Sequence, residues 1–98
     1  MKYYKGEIDW RAAGFSFSAF VLILVDTNLL KSINKTQDNL LKELLDIMYV
    51  REGYIITGEG DLLVRVIARD STHFKEILLD YIDSKDGIVK TNTMIVLG

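Results

Sequence analysis

Two glycines and two acids stand together in Thr57-Gly58-Glu59-Gly60-Asp61, and that combination can do chemistry. Glycine leaves backbone N–H groups unobstructed, so such a loop can receive a carboxylate, while Glu59 or Asp61 can receive an ammonium group. A zwitterion needs both. The same residues also suit a plain hairpin turn, in which glycine supplies positive φ and the acids face water; by spacing alone the turn is the preferred reading. Catalysis is less well provided for. Glu59 and Asp61 have no nucleophile nearby in sequence, and the one histidine, His73, falls in a first helical turn, where a solvated or helix-start role outweighs a general base. No catalytic residue is assigned. With one His and no Cys, a transition-metal site is not expected. The glycines also lack the Lys-Ser/Thr of a phosphate loop, and no cofactor is expected.

The elements that position this loop are read from periodicity. The run FSFSAFVLILV, residues 15–25, alternates and then becomes continuously apolar, as a strand buried on both faces over its second half does. Leu29, Leu30, Ile33, Leu40, Leu41, Leu44, Leu45 and Met48 recur at steps of three and four, the stripe of an amphipathic helix. Lys35 and Thr36 interrupt it, and Thr36 can cap a fresh start. Residues 49–57 read as a strand with Gly53 as a bulge, and residues 62–69 as its hairpin partner. In the second of these, Leu62, Val64, Val66 and Ala68 share one face, and Leu63, Arg65, Ile67 and Arg69 the other. Asp70, Ser71 or Thr72 can cap a second helix with Phe74, Ile77, Leu78, Tyr81 and Ile82 on its stripe, which Gly87 ends. A last strand over residues 88–97 has a polar centre, Lys90 to Thr93, either a solvent-facing ladder or the lining of a small pocket.

Residues 2–8 are read as an exposed extension strand, and Trp10 as the anchor of a packed terminus. Without that extension the order is strand, helix, strand, strand, helix, strand: an α+β, ferredoxin-like βαββαβ fold with an antiparallel four-stranded sheet and two helices on one face. The opposite face then carries Leu63 and Ile67 with Phe20 and Leu22 of the first strand. An apolar patch of that kind usually marks an interface, so these four residues are the expected dimer contacts.

Ninety-eight residues suffice for one core and not two. Hydrophobic residues at 49% and charged residues at 27% can sustain that core and argue against disorder. The net charge of −2, with bases and acids mixed along the chain, argues against a direct nucleic-acid footprint. The longest wholly apolar run, residues 19–25, falls well short of the roughly 18 residues of a membrane span. Absent cysteine fits a cytoplasmic protein.

The succession SAFVLILVD, YIITGEGDLLVRVIARD, FKEILLDYI and GIVKTNTMIVL resembles the effector-binding, or RAM, domain of the Lrp/AsnC transcriptional regulators. The hallmark is the glycine, two residues, aspartate pattern, here Gly58 to Asp61. The resemblance divides the chain into a connector strand and turn over residues 1–14 and the RAM domain over residues 15–98. It also implies either a stand-alone form without the helix-turn-helix domain or the effector domain of a longer regulator. Further implied are homodimers joined through the sheet faces, in the manner of a dimeric α+β barrel, and their assembly into tetramers, octamers or larger oligomers. A small effector, usually an amino acid, is implied between dimers, with Thr57, Gly58, Glu59, Gly60 and Asp61 of the loop and Thr91 and Thr93 of the last strand as the matching residues. Full-length regulators of the same type are the other implied partners. Two alternatives stay open: a ligand-free oligomerisation module, and an enzyme of the dimeric α+β barrel kind. The segment between Val25 and Tyr49 is longer than the first helix usual in the family.

Overall fold

The computed structural model describes residues 2–4, 9–56 and 61–95, the first three by their backbone. Its strands are β1 (Lys2–Tyr4), β2 (Phe17–Val25), β3 (Val50–Ile55), β4 (Leu62–Ala68) and β5 (Ile88–Ile95). Helices α1 (Thr27–Ser32) and α2 (Gln37–Leu45) join β2 to β3, and α3 (Ser71–Ile77) runs into a π-helical turn, Leu78–Ile82, before β5. The strands form one antiparallel sheet in the order β1-β3-β4-β2-β5. Apart from β1, which adds itself beside β3, this is the α+β, ferredoxin-like order expected.

Alternation along the central strands builds the core. Ala19, Val21 and Ile23 of β2 and Leu62, Val64, Val66 and Ala68 of β4 are fully buried on one face. Against them pack Leu30 of α1, Leu40, Leu41 and Leu44 of α2, and Phe74, Ile77 and Ile82. All helical segments therefore lie on one side of the sheet.

The single stripe expected between Val25 and Tyr49 is divided in two. Asn34 adopts φ 55, left-handed backbone that Asn tolerates better than most residues. Thr36 then caps α2 in a reciprocal box: its hydroxyl accepts the Asn39 N–H at 3.1 Å, and its own N–H donates to Asn39 Oδ1 at 3.0 Å. A capped restart of this kind satisfies two otherwise orphaned donors.

Gly53 is not the bulge. The register irregularity in β3 falls between Val50 and Glu52, at Arg51, while Gly53 pairs regularly with Val64. A Cβ on Gly53 would stand 2.7 Å from Leu41 Cδ1, so glycine is there because α2 rests directly on the strand. Phe15, expected to begin the first long strand, lies outside β2, which starts at Phe17. It follows a turn in which the Phe15 N–H donates to Trp10 O at 2.8 Å, and its ring meets Trp10 edge-on at 5.7 Å. The Arg51 guanidinium covers the Trp10 ring at 4.3 Å, which gives Trp10 the anchoring part expected of it.

Candidate functional site

The effector loop of the sequence reading falls largely outside the described residues: Thr57, Gly58, Glu59 and Gly60 are not among them. Its final member, Asp61, is, and three bonds fix it. The Asp61 N–H donates to Ile23 O at 3.0 Å, and its carbonyl accepts the Ile56 N–H at 3.1 Å. Its side-chain Oδ2 accepts the Val25 N–H at 3.0 Å. Regular pairing of β2 with β4 ends at Ile23 and Leu62. Beyond that pair the Asp61 carbonyl is turned to Ile56, so the carboxylate takes the place of a ladder acceptor for Val25. A buried or half-buried N–H left without such a partner is costly.

On the other side of β2, Thr91 pairs with Ile23 and Thr93 with Val21. Asp61 and Thr91 thus flank the same end of β2 at two strand spacings, about 10 Å. Thr93 stands two residues further along, roughly 7 Å from Thr91 toward the middle of the sheet. The three are therefore not one cluster. Thr91 and Thr93 share the parity of Ile23 and Val21 and so the helix-bearing side; Asn92 pairs with Leu22 on the other. Between Asp61 and Thr91 the β2–β5 register shifts at Leu24 and Val25. The Asp26 N–H, just beyond, donates to Gly87 O at 2.8 Å.

Phe20, Leu22, Leu63 and Ile67 do share the face away from the helices, with Phe20 opposite Arg65, Leu22 opposite Leu63 and Ser18 opposite Ile67. The first three are half-buried. Ile67 is only 2% exposed, beside a cleft that it lines with Trp10, Phe15, Ser18 and Arg65. Met94, on the same face opposite Phe20, is exposed.

Two polar constellations escaped sequence reasoning. The first lies on that face: Glu52, 8% exposed, accepts the Tyr54 hydroxyl at 2.7 Å, and Arg65 Nε donates to Ser18 Oγ at 3.2 Å. Neighbouring Arg51 has its pKa lowered from the ordinary guanidinium value, first by burial and then by repulsion from Arg65. The second surrounds His73, which starts α3 as expected but is buried rather than solvated. Its Nδ1 accepts the Arg69 N–H at 3.0 Å, its own N–H donates to Asp70 Oδ1 at 2.8 Å, and Tyr49 and Phe15 meet its ring. These bonds make His73 part of the α3 cap. Among the described residues no group of three or more His, Asp or Glu is placed to hold a metal, and no helix is long and apolar enough to cross a membrane.

Residues 18–98 match the family model described as the Lrp/AsnC ligand binding domain. The chain is 31% identical over 99 residues to the HTH-type transcriptional regulator FL11 of Pyrococcus horikoshii, covering 99% of this chain and 59% of that protein. It therefore spans about three fifths of this curated relative's length. Among solved structures it resembles a protein of Thermus thermophilus, with 26% identity and a TM-score of 0.68 over 84% of this chain and 94% of that one. It also resembles the feast or famine regulatory protein of M. tuberculosis complexed with L-methionine, with 24% identity and a TM-score of 0.74 over 98% of this chain and 60% of that one.

Proposed function

From the premise that this chain belongs to the Lrp/AsnC family, through the ligand-binding domain that residues 18–98 match, we infer that it is an effector-binding regulatory module. Its ligand is a small amino acid, held at the end of the β3–β4 hairpin where subunits meet. The single observation that carries this reading is the posture of Asp61. Its carboxylate is held by Val25 through Oδ2, which leaves Oδ1 at a fixed place for an ammonium group. A pre-oriented carboxylate makes a charge-assisted bond without first losing side-chain freedom. The L-methionine bound by the mycobacterial relative supports an amino acid as the ligand class. In this reading Gly58 and Gly60 supply free amides to the ligand carboxylate, with Thr57 and Glu59 beside them. Thr91, which β2 separates from Asp61 in the same chain, reaches the ligand from a neighbouring subunit. Thr93 contributes through a neighbouring subunit.

The curated relative is a transcriptional regulator, and this chain would act on transcription or amino-acid metabolism by changing its assembly. Homodimers formed through Phe20, Leu22 and Leu63 join into tetramers, octamers or larger assemblies, and full-length regulators of the same family are candidate co-assembly partners. Calorimetric titration against the twenty amino acids is the test. Micromolar to millimolar binding by at least one, weakened in Asp61→Asn, is expected; absence of binding by all of them would end the effector reading.

One observation favours a second reading. The bond from Val25 already gives Asp61 a structural reason to be an acid, as it would be in an oligomerisation module without a ligand. That module predicts an assembly size, measured by light scattering, indifferent to every amino acid.

A further inference from the structure

The sheet face away from the helices carries Phe20, Leu22, Leu63 and Ile67, with Asn92 and Lys90 toward its β5 edge and an acid and a base near its centre. Glu52 pairs with Arg65 across β3 and β4, and Arg65 pairs with Phe20 across β4 and β2, so the two charges lie amid Phe20, Leu22 and Leu63. Their contact is loose. Arg65 Nε stands 3.8 Å from Glu52 Oε1, too far for a hydrogen bond. Nε bonds Ser18 instead, and among the described residues the two Nη groups donate to nothing. Arg65 keeps 33% of its side chain exposed, enough for water to satisfy those donors. Packing a second sheet on this face would remove that water, and a buried guanidinium with unused donors is strongly destabilising unless an acceptor arrives with the partner.

Glu52 is the only carboxylate on the described strand residues, whereas Lys2, Arg51, Arg65 and Lys90 are all cationic. The anionic acceptor that a second copy can bring from its own described strands is therefore Glu52. A two-fold axis makes the exchange reciprocal, because residue i meeting residue j requires j to meet i. We propose that Glu52 and Arg65 form the pairing code of the sheet face: Arg65 of each protomer is received by Glu52 of the other, and the face accepts a second copy of this chain, or a relative with the same two charges, in one register. The inference rests on the reading that sheet faces pair, and names what selects the partner there. Partners with like charges at both positions are refused, since like-charge contact across a dry interface discriminates more sharply than the loss of an attraction.

Charge reversal tests the code and separates it from the underlying reading. Glu52→Arg leaves a cation at each of the two paired positions, and Arg65→Glu an anion at each. Each alone is expected to dimerise at least about tenfold more weakly than the wild type in sedimentation equilibrium, a factor equal to about 1.4 kcal/mol. Mixing the two variants should restore dimers, as heterodimers visible by native mass spectrometry, and so should the double variant Glu52→Arg/Arg65→Glu. Restoration on mixing also shows that each single variant is folded. Single variants that pair as the wild type does, with Leu22→Asp preventing pairing, would overturn the code and leave the sheet-face reading standing. If Leu22→Asp pairs normally as well, the sheet-face reading fails and takes the code with it. Recovery of Glu52→Arg dimers by inorganic phosphate alone would show that an anion in the Arg65 cleft, and not the partner's carboxylate, is the acceptor, and would overturn the proposal too.

Discussion

Asp61 Oδ2 accepts the Val25 N–H at 3.0 Å across thirty-six residues of chain. The acid at the end of the glycine loop is thereby a fastening between two strands before it is anything else. Its charge and its hydrogen-bonding capacity can be separated experimentally, because asparagine keeps a carbonyl oxygen at the position of Oδ2 and removes the charge.

Asp61→Ala should cost about 1 to 3 kcal/mol of stability in urea unfolding, since it orphans a half-buried N–H. Asp61→Asn should cost no more than about 1 kcal/mol, the difference between a charged and a neutral acceptor. Amino-acid binding should fall in both. A stability loss as large in Asn as in Ala would mean that the Val25 bond is not what holds this corner.

The approach of α2 to β3 is tested at Gly53. Alanine there must displace Leu41 Cδ1, 2.7 Å from the new Cβ, and Leu41 is fully buried. We expect Gly53→Ala to destabilise by about 1 to 3 kcal/mol, the usual cost of overpacking. Leu41→Ala alone should cost about 2 to 5 kcal/mol. Combined, the two should cost less than their sum by at least about 0.5 kcal/mol, because the new methyl occupies part of the space that leucine vacates. Strict additivity would show that Leu41 is not the obstacle.

Strand order and helix faces are legible in the sequence because they follow periods that one segment carries by itself. Ala19, Val21 and Ile23 alternate with Phe20 and Leu22, and Leu40, Leu41 and Leu44 recur at helical steps; Thr36 can be read as a cap because its partner is three residues away. What escapes depends on residues distant in sequence. Nothing near Asp61 foretells Val25, and Glu52 looks like one polar residue in a strand until β4 sets Arg65 beside it. Gly53 reads as a bulge because the space that excludes a side chain there is occupied by another element. The candidate site is less legible than the fold for the same reason: the resemblance groups Thr91 and Thr93 with the loop, yet the register puts β2 between them and Asp61.

The divided first helix depends on its second start. Thr36→Ala removes the acceptor for the Asn39 N–H and should cost about 1 kcal/mol, with Thr36→Ser retaining most of it. Because Leu40, Leu41 and Leu44 are core residues, the loss should appear in global unfolding and not as local fraying. Equal stability of the Ala and Ser variants would remove the box from the account of why the helix restarts.

His73 offers the sharpest separation of packing from hydrogen bonding. Its ring stands perpendicular to Tyr49 at 4.9 Å while Nδ1 accepts the Arg69 N–H. His73→Phe keeps an aromatic ring against Tyr49 and leaves that N–H without its acceptor, at a cost of about 1 to 3 kcal/mol. His73→Asn does the reverse: its side-chain oxygen can reach the place of Nδ1, but the ring pair, worth about 0.5 to 1.5 kcal/mol beyond its area, is gone. Both variants should therefore be destabilised in urea unfolding, for different reasons that amide hydrogen exchange can distinguish. Relative to each variant's global unfolding, exchange at Arg69 should quicken in His73→Phe and stay protected in His73→Asn. Protection of Arg69 in the Phe variant would mean that the histidine is kept for its ring alone.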